Sequence, residues 1–339
     1  MSTTLAAAAG RAAPAGDEGS ITDVTGIKVG HGVEKRRPTG CTVLLFEKGA
    51  VAGVDVRGAA PGTRETDLLN PVNTVQQIQA ILLSGGSAYG LDAVAGVVRY
   101  LEEHGLGYKM GPMVVPIVPA AILFDLPVGG DWKIRPTADT AYQACLIANA
   151  GKVEEGCVGA GAGATVGKMF GMESAMKSGI GTASIRVGKT GIVVGALVAV
   201  NAVGDVIDPK SGKIVAGARN AKGGGFRDSS ARLRAGEHVE LPPARNTTIG
   251  VVATNVAFDK AQMTKIAQMA HDGLARAINP VHTPSDGDTI FAVSTGTSSV
   301  KANHGAIGSL AAEAVVEAVL RAVRKATGLP GLPSVSDLG

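Results

Sequence analysis

The chain is poor in aromatic residues, which fill 3% of its 339 positions. It also has almost no charge imbalance, since 32 Lys and Arg against 29 Asp and Glu leave +3. Nucleic-acid binding calls for a basic stripe, often interleaved with stacking rings, and neither is present. Cysteine is scarce too: Cys41, Cys145 and Cys157 are an odd number with no CxxC pair. That pattern argues against a disulfide scaffold and against zinc-ligand spacing, and it points to a reduced, cytoplasmic setting. No apolar run reaches about 18 residues, so no membrane span is expected. Residues 1–19 are rich in Ala, Gly, Ser and Thr around a single Arg11. They lack the charged start and long apolar core of a secretory signal and read as a flexible tail.

What the chain has in excess is glycine, 48 residues, beside a 45% hydrophobic content. Such a sequence packs backbone closely and turns often. Its length suffices for a sizeable core. Apolar runs at Cys41–Phe46 and Gly49–Val56 predict two neighbouring strands, and Ser184–Val187, Gly191–Asn201 and Thr289–Ser294 predict three more. Helices are expected over Val72–Leu83 behind Asn70 and Pro71, over Ala88–Glu103 with Ser87 as cap, over Thr140–Ala150, and over Ala306–Ala326. Another starts after Asp259, with Gln262 in capping-box spacing and a face of Met263, Ile266, Ala270 and Leu274. Residues 210–240 read as a long exposed loop. The whole predicts one α+β domain over residues 20–330, with 331–339 as a second tail.

Several segments carry possible chemistry beside an ordinary structural reading. The loop Gly159-Ala-Gly-Ala-Gly163 invites a nucleotide, but Ala162 and Met169 break the phosphate-binding pattern that would end at Lys168. Close backbone packing explains it better. Gly85-Gly86-Ser87-Ala88-Tyr89 lacks the second glycine of a nucleophile elbow. None of the six histidines shows HExxH or paired spacing. Asp286-Gly287-Asp288 is turn chemistry, or two carboxylates on one side of an extended segment. Asn201 ends an apolar strand, where its amide caps a loop or faces a developing oxyanion. Lys168 closes the glycine loop, and most lysines are merely solvated. Asn246-Thr247-Thr248 stands between the turn-rich Leu241–Arg245 and an apolar run. Cut before Thr247, the chain would present a hydroxyl nucleophile and a free α-amine on one residue.

Together, Asn246-Thr-Thr-Ile249, Asp286-Gly-Asp-Thr289, Asn201, Val118-Pro-Ala-Ala-Ile-Leu-Phe-Asp125, Ser84-Gly-Gly-Ser-Ala-Tyr-Gly90 and Gly26-Ile-Lys-Val-Gly-His31 resemble the DmpA-like family of N-terminal-nucleophile hydrolases. That family includes L-aminopeptidase/D-esterases, β-peptidyl aminopeptidases and 6-aminohexanoate (nylon) oligomer hydrolases. The resemblance spans about Ile21 to Ala326. It implies an Ntn-hydrolase-like four-layer sandwich, two central β-sheets flanked by helices. It implies self-cleavage between Asn246 and Thr247 into fragments 1–246 and 247–339 that stay together, and assembly as homo-tetramers or larger.

Position by position, the resemblance makes Thr247 the nucleophile and places Lys168, Asn201, Asp286 and Asp288 around it. Asn201 is the expected oxyanion donor, and Lys168 balances the two carboxylates. Those carboxylates orient the Thr247 amine and hydroxyl, or else hold a substrate ammonium. Phe124 stands where the nylon-oligomer hydrolases carry a Tyr, which removes one polar contact from the substrate site. No metal or organic cofactor is required. The expected activity is hydrolysis of amide bonds in short peptides or ω-amino-acid oligomers. An acyltransferase of the ornithine acetyltransferase type is the enzymatic alternative, and a non-catalytic nucleotide-binding protein the remaining one.

Overall fold

A computed structural model describes residues 19–221, 224–237, 239 and 245–338. The tail 1–18, His238 and the Leu241–Ala244 turn lie outside the described residues. The principal strands are β1 (Lys28–Glu34), β2 (Thr39–Val56), β3 (Ile78–Ser84), β4 (Ala120–Ile122), β5 (Ile180–Arg186), β6 (Val193–Asn201), β7 (Thr247–Thr254) and β8 (Thr289–Ser294). The principal helices are α1 (Val94–Glu103), α2 (Ala138–Ile147), α3 (Lys260–Ala277) and α4 (His304–Arg324).

Alternation along buried strands builds four layers. Every residue of β6 is buried. Val194, Ala196, Val198 and Val200 enter one core, while Val193, Leu197 and Ala199 enter another. A strand covered on both faces has no polar side, which is why it reads as a continuous apolar run. The first of these cores joins β5–β8 to α3 and α4 through Met263, Ile266, Leu274, Val315 and Val319. The second lies between two sheets, with Leu44, Phe46, Ile81 and Leu83 facing Leu197, Val251 and Phe291. A third, with Val43, Leu45 and Leu82, is covered by α1 and α2. The order is therefore helices, sheet, sheet, helices, an α+β sandwich.

The two sheets share β2. Its first part pairs antiparallel with β1 and β3, and its last part, Val51–Val56, pairs antiparallel with β8. The two strands expected at Cys41–Phe46 and Gly49–Val56 are thus one strand of 18 residues. An irregularity between Leu45 and Ala50, with Gly49 at φ +76°, redirects it from one sheet to the other without ending it. In the second sheet, β5, β6 and β7 pair antiparallel in turn, and β7 runs parallel to β8.

Other expectations need correction. The helix over Val72–Leu83 is absent: Ile78–Ser84 is a fully buried central strand. A short apolar run has no period that separates the two, and burial on both faces decided for the strand. Ser87 does not cap the next helix. Gly86 holds that position, and Ser87 opens a 3₁₀ turn at φ +55° with its N–H on the Leu123 carbonyl. Residues 210–240 contain a strand, Lys213–Ala216, and a short helix, Ser229–Arg234. The buried carboxylate of Asp205 ties the segment down by accepting the N–H groups of Ala218 and Ser229. Residues 331–338 are no tail either. Leu332 packs with Val128 and Ala175, and the Pro333 carbonyl accepts the Lys177 N–H. Asp259 does cap α3 with Gln262 in a capping box.

The Gly159–Gly163 loop is buried throughout. A Cβ on Gly159 would lie 2.2 Å from Thr42 Oγ1 and 2.4 Å from His31 Nδ1. Glycine here lets the loop press against β1 and β2, with no room for a phosphate. Among the described residues, no helix is long and apolar enough to cross a membrane, and no cluster of three or more His, Cys, Asp or Glu could hold a metal ion.

Candidate active site

The end of β6 and the start of β7 bring the expected residues together. In the antiparallel register, Asn201 faces Thr247 directly. Opposed side chains in such a pair project to the same face of the sheet. Both residues are buried, as are Asn246, Asp286 and Asp288. Lys168 enters from the loop after Gly163. Its Nζ donates to the Asn201 carbonyl and Asn201 Oδ1, each at 2.9 Å, and approaches the Arg245 carbonyl at 3.4 Å.

The Asn201 amide is held at both ends. Oδ1 accepts from Lys168 and from the N–H and hydroxyl of Thr165. Nδ2 donates to the Phe124 carbonyl at 3.0 Å. An amide carries two N–H donors, so one remains available. Phe124 thus reaches the site through its backbone, where a tyrosine would also bring a hydroxyl. Phe124 lines a pocket of about 210 Å³ together with Pro127, Val128, Met169 and Met172, and Lys168, Arg245 and Asn246 are among its polar wall residues.

The carbonyl of Asn246 is the focus of the arrangement. The Thr247 hydroxyl donates to it, and the Gly287 N–H donates from the other strand at 3.0 Å. Asn246 N–H in turn bonds the Ser285 carbonyl, so Asn246 and Asp286 form a parallel bridge. Gly287 is needed there. A Cβ would stand 2.5 Å from the Ala60 carbonyl oxygen and 2.9 Å from Thr247 Oγ1, pushing the N–H away from its acceptor.

The two aspartates play different parts. Asp288 uses both oxygens: Oδ1 accepts the Thr248 N–H at 2.6 Å, and Oδ2 accepts the His282 N–H and lies 2.8 Å from His282 Nδ1. Asp286 Oδ2 accepts the N–H and hydroxyl of Thr283, while buried Oδ1 has no partner among the described residues. Neither carboxylate hydrogen-bonds Thr247 itself in the continuous chain. Burial, reinforced by the Asp288 charge, pushes the Asp286 carboxyl up to about 6 against the pull of Thr283 and Lys168. Burial likewise brings the Lys168 ammonium down to about 7, although Asp286 and Asp288 draw it up. Behind His282 lies His271, ring centroids 4.8 Å apart, which burial holds down to about 4 and therefore neutral.

Peptidase family S58 matches residues 19–335 of this sequence. The chain belongs to that family. An uncharacterized aminopeptidase of Mycobacterium tuberculosis is 44% identical, covering 94% of this chain and 97% of the relative. A 6-aminohexanoate-oligomer endohydrolase of a Kocuria species is 33% identical over 89% of this chain and 85% of its own length. Among solved structures, a Burkholderia β-aminopeptidase superposes with TM-score 0.68 at 25% identity, covering 92% of this chain and 89% of that one. An L-aminopeptidase D-Ala-esterase/amidase from Ochrobactrum anthropi, described as a variant of the Ntn hydrolase fold, gives TM-score 0.68 at 20% identity, covering 94% and 91%. The S58 chain is thus an Ntn-fold hydrolase of peptide or amide bonds.

Two participants escaped the sequence reading. Gly287 was weighed only as the middle of a turn, since a backbone donor leaves no mark in side-chain identity. His282 had no motif, and its one signal was its place four residues before Asp286.

The contrast between the aspartates is measurable. The native pKa of Asp286 stands above its ordinary 3.8. The native state therefore keeps a proton that the unfolded state has lost, and stability falls as pH rises through that window. Asp286→Asn removes this penalty and is expected to melt at or above the wild-type temperature at about pH 7.5. Asp288→Asn loses charge-assisted bonds to a buried N–H and to His282, and is expected to cost about 1.5–3 kcal/mol. Urea unfolding of both variants checks the order, and the reverse order would refute the assignment of partners.

Proposed function

We propose that this family member is an autoprocessing amidohydrolase whose nucleophile is Thr247 once the Asn246–Thr247 bond is cut. The observation that carries this reading is the convergence of the Thr247 hydroxyl and the Gly287 N–H on one carbonyl, that of Asn246, at the mouth of a buried strand. In the precursor, Thr247 Oγ attacks the Asn246 carbonyl carbon while Gly287 N–H stabilises the oxyanion. The C–N bond breaks, the Thr247 nitrogen takes the proton, and water then opens the ester to an Asn246 carboxylate and a free Thr247.

Cutting has two effects. It creates an amine whose reference pKa, about 7.7–8.0, lets it accept the hydroxyl proton near neutral pH. It also releases Arg245 and Asn246, which line the pocket in front of buried Thr247. Substrate acylates Thr247, its amine leaves with a proton, and water hydrolyses the ester. In this second phase the remaining N–H of Asn201, the residue opposite Thr247 in the ladder, takes the oxyanion. Asp286, with an unpartnered oxygen, receives the Thr247 ammonium or the substrate's own, and Lys168 compensates the charge.

The substrates we infer are short peptides or ω-amino-acid oligomers. The apolar pocket walls and the activities named for the Kocuria and Burkholderia relatives support this reading. Three unpaired thiols fit a cytoplasmic setting. We also infer a homo-oligomer, a tetramer or larger. A hairpin that leaves Met110 53% and Met113 61% exposed offers an association surface.

Intact-mass analysis of purified wild type is expected to show chains ending at Asn246 and starting at Thr247. Thr247→Ala is expected to stay whole and to lose at least about a thousandfold in amide turnover, on the scale of losing a nucleophile; wild-type turnover by that variant would refute the mechanism. The pH profile of kcat/KM is expected to fall as pH drops, first as the Thr247 amine, with its reference pKa of about 7.7–8.0, takes up a proton and then as Asp286 does. In Asp286→Asn that acid limb should lose its Asp286 component, and an unchanged limb would remove Asp286 from the mechanism. Light scattering is expected to give a mass of at least four chains; a monomer would refute the oligomer.

A further inference from the structure

Cutting the chain changes what holds Thr247. In the continuous chain Asn246 anchors it from in front: the Asn246 carbonyl accepts the Gly287 N–H at 3.0 Å, and the Asn246 N–H donates to the Ser285 carbonyl at 3.3 Å. Once the Asn246–Thr247 bond is cut, those bonds belong to a separate fragment. Thr247 is then a chain end, and chain ends fray unless they are tied down. The side-chain bond closest to the new end is that of Asp288, whose Oδ1 accepts the Thr248 N–H at 2.6 Å.

Asp288 is itself aimed by His282. The His282 N–H donates to Asp288 Oδ2 at 3.1 Å, and Nδ1 lies 2.8 Å from the same oxygen. An ionised carboxylate only accepts, so Nδ1 carries the proton and donates it. His282 does this from a left-handed backbone, φ +56°. That conformation is disfavoured for a residue with a Cβ and persists where its surroundings enforce it, often at functional sites. The ring of His271, on α3, meets the His282 ring edge-on, with planes at 70°. His271 is fixed in turn: its Nε2 lies 2.9 Å from the Asp55 carbonyl, and burial keeps the ring neutral. The N–H groups of Arg57 and Gly58 hold the Asp288 carbonyl from β2 and the turn after it.

We propose that His282 is a positioning residue of the cut enzyme, a proposal that rests on the hydrolase reading above. By donating from Nδ1 it locks Asp288 onto the Thr248 N–H, and so keeps the freed Thr247 at its ladder position opposite Asn201. His282 touches no reacting atom. The consequence is an asymmetry between the two reactions of one nucleophile. Self-cleavage takes place while Asn246 still anchors Thr247, so it depends little on His282. Amide turnover follows the loss of that anchor and depends on it strongly. Displacing a nucleophile by roughly 1 Å costs on the order of a hundredfold in rate.

Two substitutions separate the ring from the backbone. His282→Gly keeps the left-handed turn and the N–H but removes the Nδ1 donor. His282→Asn tolerates the same turn and carries an amide nitrogen on Cγ, where histidine carries Nδ1. Self-cleavage is followed by the fraction of cut chain against time during cell-free synthesis. Turnover is measured on fully cut protein with L-alanyl and 6-aminohexanoyl p-nitroanilides. In His282→Gly we expect self-cleavage within about fivefold of wild type, kcat down about a hundredfold and KM changed by less than about threefold. His282→Asn should recover kcat to within about tenfold of wild type. Wild-type kcat in His282→Gly, a kcat in His282→Asn as low as in His282→Gly, or self-cleavage that falls as far as turnover would each overturn the proposal and leave the hydrolase reading intact. Should His282→Gly fail to fold, His282→Asp replaces it, with the shape of asparagine but an acceptor facing Asp288; equal kcat in the Asn and Asp variants would overturn the donor role. A wild type that stays uncut, or that hydrolyses neither anilide, would overturn both readings.

Discussion

The pairing of β6 with β7 is the constraint on which the site depends. Thr247 begins a strand that is hydrogen-bonded on both sides, to β6 and to β8. Its position is therefore set by two ladders and the cores above and below them, with little left to local loop conformation. Asn201 is opposite Thr247 because of that register, and Asp286 and Asp288 are near because β8 runs parallel to β7 and its leading loop arrives at the same end. A slip of one residue would turn Thr247 to the other face and dissolve the arrangement. Rigid strands hold catalytic geometry better than loops do.

Burial at that end supplies the electrostatics. One lysine and two carboxylates share a space with little water. Desolvation raises the Asp286 carboxyl and lowers the Lys168 ammonium, so both approach neutral pH from opposite directions. Such convergence is common where proton transfer takes place. Asp288 differs from Asp286 because its two oxygens are saturated by Thr248 and His282. It stiffens the strand that starts at Thr247, whereas Asp286 keeps an oxygen in reserve.

Parts of this were legible in the residues alone. The capping box at Asp259, the apolar face of α3 and the two-sided burial of β6 are local patterns, and each appears in the structure at its expected place. The run at Ile78–Ser84 was not legible, because five apolar residues with Gln79 and Ser84 carry no decisive period and the sheet on either side chose strand. Nor was the unity of β2, since Gly49 reads as a turn until the neighbouring sheets are seen to require a bend. Phe124 was placed at the site by resemblance, but its carbonyl as the acceptor for Asn201 is a fact of three dimensions.

The amino-acid order by itself determined the class of fold, the family and the cluster of residues worth examining, because these rest on patterns that survive in one dimension. Only the tertiary structure decided that Gly287 donates to the Asn246 carbonyl and that Asp286 and Asp288 have separate partners. Those outcomes depend on backbone atoms and on neighbours far apart along the chain, and neither leaves a signature in residue type.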